Sequence, residues 1–260
     1  MNGVLDAALS HVGAISLLFT RTVKETVRRK PEWSVILDQM HHLGVRSLAI
    51  ATVTALFTGM VLALQTSYSL AAYGAKLFVG DIVALSLVRE LGPVLTALMV
   101  GGRVGAGITA EIGSMKVTEE VLALETIGIN PVGFLVAPRF LAMTIMLPAL
   151  TIFSVVLGIL GGWALGAGNF GMSTGGYFDS ARDSLVLKDF VSAGVKSVLF
   201  GWIVALIACY RGLIVEGGPE EVGRATMEAV VSSMVLIVVV DFFVTGLFYY
   251  SFYLFKVPIL

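Results

Sequence analysis

The sequence predicts an all-α integral membrane protein with five transmembrane helices, an N-terminal amphipathic helix in the membrane interface and a short cytoplasmic helix. Hydrophobic residues make up 57% of the 260 residues and charged residues only 13%, about half of the roughly 25% charged residues of soluble domains. The mean hydropathy is +0.93. So few polar groups cannot cover a folded surface in water, which excludes a soluble enzyme, a nucleic-acid-binding module and a disordered protein. The apolar runs are long and continuous, which favours helices over membrane β-strands.

Two apolar runs are long enough to cross a bilayer and hold no charge, residues 47–75 and 140–168. A transmembrane helix needs roughly 20 mostly apolar residues. Three further runs qualify if internal charges are accepted, namely 82–102, 190–210 and 229–255. The odd number of spans places the two termini on opposite sides of the membrane.

Residues 1–45 are predicted to form an N-terminal region separate from the five-span domain of residues 46–260. Apolar residues recur there at helical spacing, and basic residues follow them: Leu5, Leu9, Val12, Ile15 and Phe19, then Arg21, Lys24, Arg28 and Arg29. This pattern is typical of a helix that lies in the membrane interface. A secretory signal would place its basic residues before a longer apolar run.

Lysine and arginine are concentrated on one side of the predicted membrane, in residues 1–46, 103–139 and 211–226. The opposite flanks hold only Lys76, Arg182, Lys188 and Lys256. Cytoplasmic flanks of membrane proteins carry an excess of these residues. The N-terminus and the two loops are therefore predicted to face the cytoplasm, and the C-terminus to face outside.

Glycines spaced by four recur in the second and third spans, at Gly101 and Gly105 and at Gly158, Gly162 and Gly166. Small residues at this spacing let membrane helices approach closely. The alternative, that these glycines are merely tolerated in lipid, stays open.

Four charged residues fall inside the predicted spans: Arg89, Glu90, Lys196 and Asp241. Each costs at least ~2.5–3.5 kcal/mol near the bilayer centre, so it needs a partner or a function. Counted from the outer flank, Glu90 lies roughly 13 Å and Lys196 roughly 10 Å deep, with Asp241 nearer the middle.

Two main interpretations of these charges remain open. They could form ion pairs that fix the helix register, such as Glu90 with Lys196 and Arg89 with Asp241. They could instead line a cavity for a charged or amphipathic substrate. A proton relay is a weaker third interpretation, because no histidine lies in any predicted span. Pro93 adds a predicted kink or break beside Arg89 and Glu90, since proline removes a backbone hydrogen bond.

The loop of residues 103–139 is predicted to contain an amphipathic helix over 109–126, ended by Gly128 and Pro131. Its polar face carries Glu111, Glu119 and Glu120. A helix that lies on a lipid surface is normally rich in lysine and arginine. The acidic character of this helix favours a protein partner.

Residues 84–131, ALSLVRELGPVLTALMVGGRVGAGITAEIGSMKVTEEVLALETIGINP, resemble the signature region of the MlaE/YrbE permease family. These permeases are the membrane subunits of ABC transporters that move phospholipid between the two membranes of Gram-negative bacteria. The RELGP and AEIGxMxxxEExxAL segments are long and specific, and the similarity covers nearly the whole chain.

The resemblance implies a homodimeric permease in the bacterial inner membrane, with a cytoplasmic N-terminus and a periplasmic C-terminus. The helix at 109–126 would be the coupling helix that docks on a cytoplasmic ABC ATPase, through Glu111, Met115, Glu119 and Glu120. A STAS-domain protein would bind the ATPase. A periplasmic hexamer of MCE-domain subunits would sit above the permease.

The resemblance also implies a phospholipid in a cavity between the two permease subunits. Its lining would include eight residues of this chain: Leu62, Gln65, Leu70 and Tyr73 of the first span, with Arg89, Glu90, Lys196 and Asp241.

The sequence contains no GxxxxGK[ST] phosphate-binding loop and no Gly-Lys dipeptide. The chain is therefore expected to be a non-catalytic subunit without a cofactor of its own, with ATP and Mg²⁺ bound by the partner ATPase. An ion-coupled secondary carrier of a small solute is the alternative, but five spans without an internal repeat match it poorly. A membrane-embedded lipid-modifying enzyme would normally show a histidine, a metal set or a nucleophile near the interface. No such set is visible, and the three histidines, His11, His41 and His42, are all N-terminal to the predicted spans.

Overall fold

The computed structural model describes residues 2–28, 32–75 and 78–254. Within these ranges the regular structure is entirely helical, which confirms the predicted all-α class. Eleven α-helices occur in this part of the chain: α1 Asn2–Arg28, α2 Trp33–Leu43, α3 Leu48–Ala71, α4 Val79–Ser86, α5 Gly92–Val100, α6 Ala106–Val117, α7 Glu120–Thr126, α8 Ala137–Phe170, α9 Thr174–Ser184, α10 Leu187–Leu213 and α11 Pro219–Leu254.

Five helical stretches are long and apolar enough to cross a membrane, as predicted: Trp33–Ala71, Val79–Val117, Val132–Gly168, Leu187–Leu213 and Pro219–Tyr250. Most of them extend beyond the apolar runs, because a helical backbone continues past the hydrocarbon core. The first stretch ends earlier than its run. Gly74 has a φ of 66°, a left-handed conformation in which glycine commonly stops a helix.

The chain divides into two compact units. The first comprises Met1–Val45, Val100–Met146 and Gly201–Ile237, and the second comprises Arg46–Met99, Leu147–Phe200 and Val238–Leu260. The charged residues predicted inside the spans all belong to the second unit. The residues predicted to contact an ATPase all belong to the first.

Three short π-helical turns interrupt the α-helices, at Leu87–Leu91, Gly101–Gly105 and Val132–Val136. Residues 79–117 nevertheless stay helical throughout, so the predicted break at Pro93 is absent. The π turn ends where the Gly92 N–H donates to the Leu87 carbonyl. Pro93 is thus the second residue of α5, and the first turn of a helix tolerates a missing N–H.

The cytoplasmic helix predicted over 109–126 is divided into α6 and α7. Glu119 lies between them with a φ of 62°, and the Thr118 hydroxyl donates to the Glu120 carboxylate at 2.9 Å. A left-handed residue cannot continue a right-handed helix. The segment therefore consists of two short helices joined at Glu119. No glycine or proline marks this break in the sequence.

In the first unit, aromatic side chains hold α1 against the ends of two spans. The Phe19 ring lies 6.0 Å from that of Phe140 and 5.7 Å from that of Trp202, centroid to centroid. His11 Nδ1 and the Tyr210 hydroxyl are hydrogen-bonded at 2.8 Å. Other apolar side chains of α1, including that of Leu17, are exposed, as expected for a helix with one face toward protein and one toward lipid.

In the second unit, α3 and α8 pack backbone to backbone at glycines. A Cβ added to Gly59 would overlap the carbonyl oxygen of Gly158, and one added to Gly161 would overlap that of Leu56. The predicted close approach at Gly158 is therefore confirmed. Gly101 behaves differently, because a Cβ there would meet only side chains, with Ser233 Oγ at 3.5 Å.

Gly59→Ala is expected to lower the stability of the protein by roughly 1–3 kcal/mol, because the added methyl group meets backbone that cannot rotate away. The measurement is the temperature at which the detergent-solubilised protein loses its monodisperse elution peak. Gly168→Ala is the matched control, since a Cβ there has no neighbour within 4 Å. Equal melting temperatures for the two variants would contradict this packing.

Candidate functional site

A fully buried lysine joins three spans in the second unit. The side chain of Lys196, on α10, is 1% exposed. Its Nζ lies 2.6 Å from Glu90 Oε2, 2.9 Å from Asp241 Oδ1 and 3.0 Å from the Arg89 carbonyl oxygen. The ammonium donates hydrogen bonds to Glu90 Oε2 and to the Arg89 carbonyl oxygen. Asp241 Oδ1 is its ion-pair partner and is buried without a hydrogen bond among the described residues. We call Lys196, Glu90 and Asp241 the Lys196 cluster.

Pro93 explains why a backbone carbonyl takes part in this site. In an α-helix the Arg89 carbonyl would accept from the N–H four residues later, and Pro93 has none. The Lys196 ammonium donates to that carbonyl instead. An unpaired carbonyl in a membrane span costs several kcal/mol, so Lys196 supplies a donor that Pro93 does not.

The Lys196 cluster contains two carboxylates and one ammonium group. With all three ionised, its net charge is negative. The Thr245 hydroxyl adds a hydrogen bond to Glu90 Oε1 at 3.2 Å. The predicted pairing of Glu90 with Lys196 is confirmed, and Asp241 pairs with the same lysine.

The predicted pairing of Arg89 with Asp241 is wrong. Arg89 Nε donates to Asp189 Oδ1 at 2.7 Å. Neighbouring residues on a helix point about 100° apart, so Arg89 and Glu90 cannot both face the Lys196 cluster. Asp189 also accepts from the Val186 N–H through Oδ2 at 3.0 Å, which fixes it at the start of α10.

Both ion pairs border one open cleft of about 370 Å³. Its wall combines cations, carboxylates, hydroxyls and two aromatic rings: Arg89, Glu90, Lys188, Asp189, Ser192, Thr245, Phe248 and Tyr249. Mixed walls of this kind suit a molecule with a charged head and an apolar body.

Asp189→Ala is expected to destabilise the protein by about 1–2 kcal/mol, because the start of α10 loses its acceptor and Arg89 loses its partner. Asp189→Asn, which keeps an acceptor oxygen, should lose less. The melting temperature of the purified protein in detergent distinguishes the two. Asp183→Ala, at an exposed position of α9, is the control. If Asp189→Ala and Asp183→Ala have the same melting temperature, Asp189 does not stabilise the start of α10.

The first-span residues predicted to line a lipid cavity lie apart from this cleft within the chain. Leu62 and Leu70 pack against a buried cluster that includes Val79 and Tyr177. Gln65 is exposed, and Tyr73, in the turn after α3, is 83% exposed. Gln65 and Tyr73 thus face outward from the single subunit.

The residues predicted to contact an ATPase differ in what they touch within the chain. Glu119 and Glu120 are exposed and Met115 is half-buried. Glu111 pairs with Arg139 at 2.8 Å and its side chain is still 57% exposed. Its carboxylate therefore already has a partner inside the subunit.

Sequence reasoning missed three residues of these sites. The sequence analysis used Asp189 only as the outer end of a span, although an acid in the first turn of a helix often accepts from a free backbone N–H. Arg139 counted only as a cytoplasmic flanking charge. Thr245 had no signal at all, because hydroxyls in membrane helices usually bond their own backbone.

Comparison with known proteins places the chain among membrane transport subunits. The model of the family described as Permease MlaE matches residues 36–247. A probable ABC transporter permease protein of Rickettsia felis is 40% identical over 238 residues, 92% of each chain. The intermembrane phospholipid transport system permease protein MlaE of Haemophilus influenzae is 37% identical over 90% of this chain and 89% of its own. The chloroplastic protein TRIGALACTOSYLDIACYLGLYCEROL 1 of Arabidopsis thaliana is 33% identical over 91% of this chain and 67% of its own.

Proposed function

We propose, from the premise that this chain belongs to the MlaE permease family, that it is the transmembrane subunit of an ABC transporter for phospholipids. The transporter moves them between the inner and outer membranes of a Gram-negative bacterium. The observation that carries the proposal is the similarity to the Haemophilus influenzae phospholipid transport permease over nine-tenths of this chain.

In this proposal the phospholipid occupies a cavity between two copies of the chain. The outward-facing Gln65 and Tyr73 would belong to its wall, and the cleft beside Arg89 would receive the head group. A guanidinium suits a phosphate, since it donates two parallel charge-assisted hydrogen bonds. The aromatic rings of Phe248 and Tyr249 offer apolar surface next to it.

The energy for transport comes from a separate subunit in this proposal. The chain is a non-catalytic partner of a cytoplasmic ABC ATPase, which binds ATP and Mg²⁺ and carries a STAS-domain protein. The exposed acids Glu119 and Glu120 would contact that ATPase. A periplasmic MCE-domain hexamer would receive or deliver the lipid at the other face, with the N-terminus of this chain cytoplasmic and its C-terminus periplasmic.

The test is purification of the chain in mild detergent through an affinity tag, from the membranes of its own host. Mass spectrometry then identifies the retained proteins and lipids. We expect an ATPase with a phosphate-binding loop, an MCE-domain protein and bound phospholipid. A homogeneous single component without lipid would contradict the proposal and favour an ion-coupled carrier.

A second measurement tests transport itself. The purified complex is reconstituted into vesicles with a fluorescent phosphatidylethanolamine, and lipid transfer is followed with ATP and with a non-hydrolysable analogue. Transfer should require hydrolysis. Equal transfer with both nucleotides would contradict an ATP-driven transporter.

A further inference from the structure

The Glu111–Arg139 pair lies in the first unit, away from the Lys196 cluster, and joins α6 to the start of α8. Glu111 Oε1 and Arg139 Nη2 are 2.8 Å apart. The two side chains differ sharply in environment, since Glu111 is 57% exposed and Arg139 only 5%. A half-exposed acid on a cytoplasmic helix therefore neutralises a cation buried in the third span.

Arg139 has few other acceptors among the described residues. Nη1 donates to the Leu135 carbonyl at 2.7 Å, inside the π turn of residues 132–136. Its Nε is buried without an acceptor in the described part of the chain. A buried cation that loses its counter-ion is strongly destabilised. Arg139 therefore holds Glu111, and with it α6, at one distance from α8.

The opposite side of α6 is fixed to the fourth span by contact of a different kind. The Thr109 hydroxyl donates to the Ala208 carbonyl at 3.1 Å. Gly212 lies so close to Ile112 that an added Cβ would come within 2.8 Å of its Cβ. One face of α6 thus packs against α10, while Glu111 forms an ion pair with Arg139 of α8.

We infer that Glu111 and Arg139 are positioning residues that transmit movement of the cytoplasmic helices to the third span. The inference rests on the proposed function and deepens it. α8 begins at Ala137, two residues before Arg139, so a displacement of Glu111 acts on the first turn of this helix. Glu119 and Glu120 are exposed and make the external contact, and Glu111 carries the displacement inward.

The experiment compares Glu111→Gln with the unsubstituted complex, purified with its ATPase and placed in vesicles of phosphatidylethanolamine and phosphatidylglycerol. ATP hydrolysis and transfer of a fluorescent phosphatidylethanolamine are measured on the same sample. We expect the ATPase to stay bound and to hydrolyse ATP, while lipid moved per ATP falls at least about fivefold, the lower range of coupling between linked sites.

Three further substitutions separate coupling from folding. Arg139→Lys keeps the buried charge and should retain more lipid moved per ATP than Arg139→Gln, which removes it. Glu220→Gln is the matched control, an exposed cytoplasmic acid in the first turn of α11. It should leave both the ratio and the yield unchanged.

Each of three results would overturn the inference. An unchanged ratio in Glu111→Gln means that the pair transmits nothing. A proportional fall of hydrolysis and transfer means that it only supports folding. Loss of the ATPase from the complex means that Glu111 is a docking contact. An unsubstituted complex that moves no lipid with ATP defeats the proposed function and the inference together, before any variant is made.

Discussion

Lys196→Met will leave Glu90 and Asp241 facing each other inside the membrane with no cation between them. Removing one partner of a buried ion pair costs about 3–5 kcal/mol. Here two carboxylates lose their shared counter-ion, and the Arg89 carbonyl loses a hydrogen-bond donor. We expect little folded protein in the membrane fraction, measured by immunoblot and by the monodisperse peak after detergent extraction. Lys196→Arg, which keeps the charge, should be recovered at higher yield.

The triple variant Lys196→Met with Glu90→Gln and Asp241→Asn removes all three charges together. Replacing a complete buried ion cluster by neutral groups is often nearly neutral for stability, so we expect the triple variant to regain most of the lost yield. Its transport then decides between the two interpretations of the cluster. Normal lipid transfer would make the charges purely structural, and a stable but inactive protein would assign them to the transport path. A triple variant as poorly folded as Lys196→Met would contradict the charge-balance argument.

The double substitution Glu119→Lys with Glu120→Lys is expected to release the ATPase while leaving the permease folded. Both side chains are exposed, so their replacement costs little within the subunit. Reversing two charges in a docking surface places like charges opposite one another if the partner groove is basic. The measurement is the amount of ATPase retained on the tagged permease after a wash at moderate ionic strength.

The control for this double variant is Asp179→Lys with Asp183→Lys. These acids are exposed on α9, in the segment predicted to face outside, and the change in net charge is the same. The control should retain the ATPase in full. If this variant retains as much ATPase as the control, Glu119 and Glu120 have no role in docking.

The spans were predictable because the requirement behind them is simple. A helix that crosses lipid must be apolar over most of its length, and the sequence contains five such stretches. Its boundaries were less predictable, since helical hydrogen bonding continues into water. α11, for example, begins at Pro219, well before the apolar run at 229.

Part of the charge pairing was predictable from the depth of each residue along its span. Glu90 and Lys196 lie at matched depths below the outer flank, and the structure pairs them at 2.6 Å. Asp241 was placed too far from them because its depth was counted from Lys256, which lies outside the described residues. Arg89 was misassigned because depth along a helix says nothing about direction around it.

The division of the helix predicted over 109–126 shows what periodicity alone misses. The stretch 109–126 has continuous helical spacing and contains no proline. The break depends on one left-handed residue, Glu119, next to a threonine whose hydroxyl bonds both the preceding turn and Glu120. The free energy of such a local arrangement differs little from that of a continuous helix, so the pattern of apolar residues does not reveal it.

The π turns have a consequence for how the second span presents its surface. Each π turn inserts one residue into the α-helical register, so the side chains after it are rotated by about 100° relative to those before it. A cysteine-accessibility scan along residues 79–117 should therefore follow a 3.6-residue rhythm that loses phase twice, once across residues 87–91 and again across residues 101–105. A uniform α-helix over the same residues would instead keep one 3.6-residue rhythm throughout.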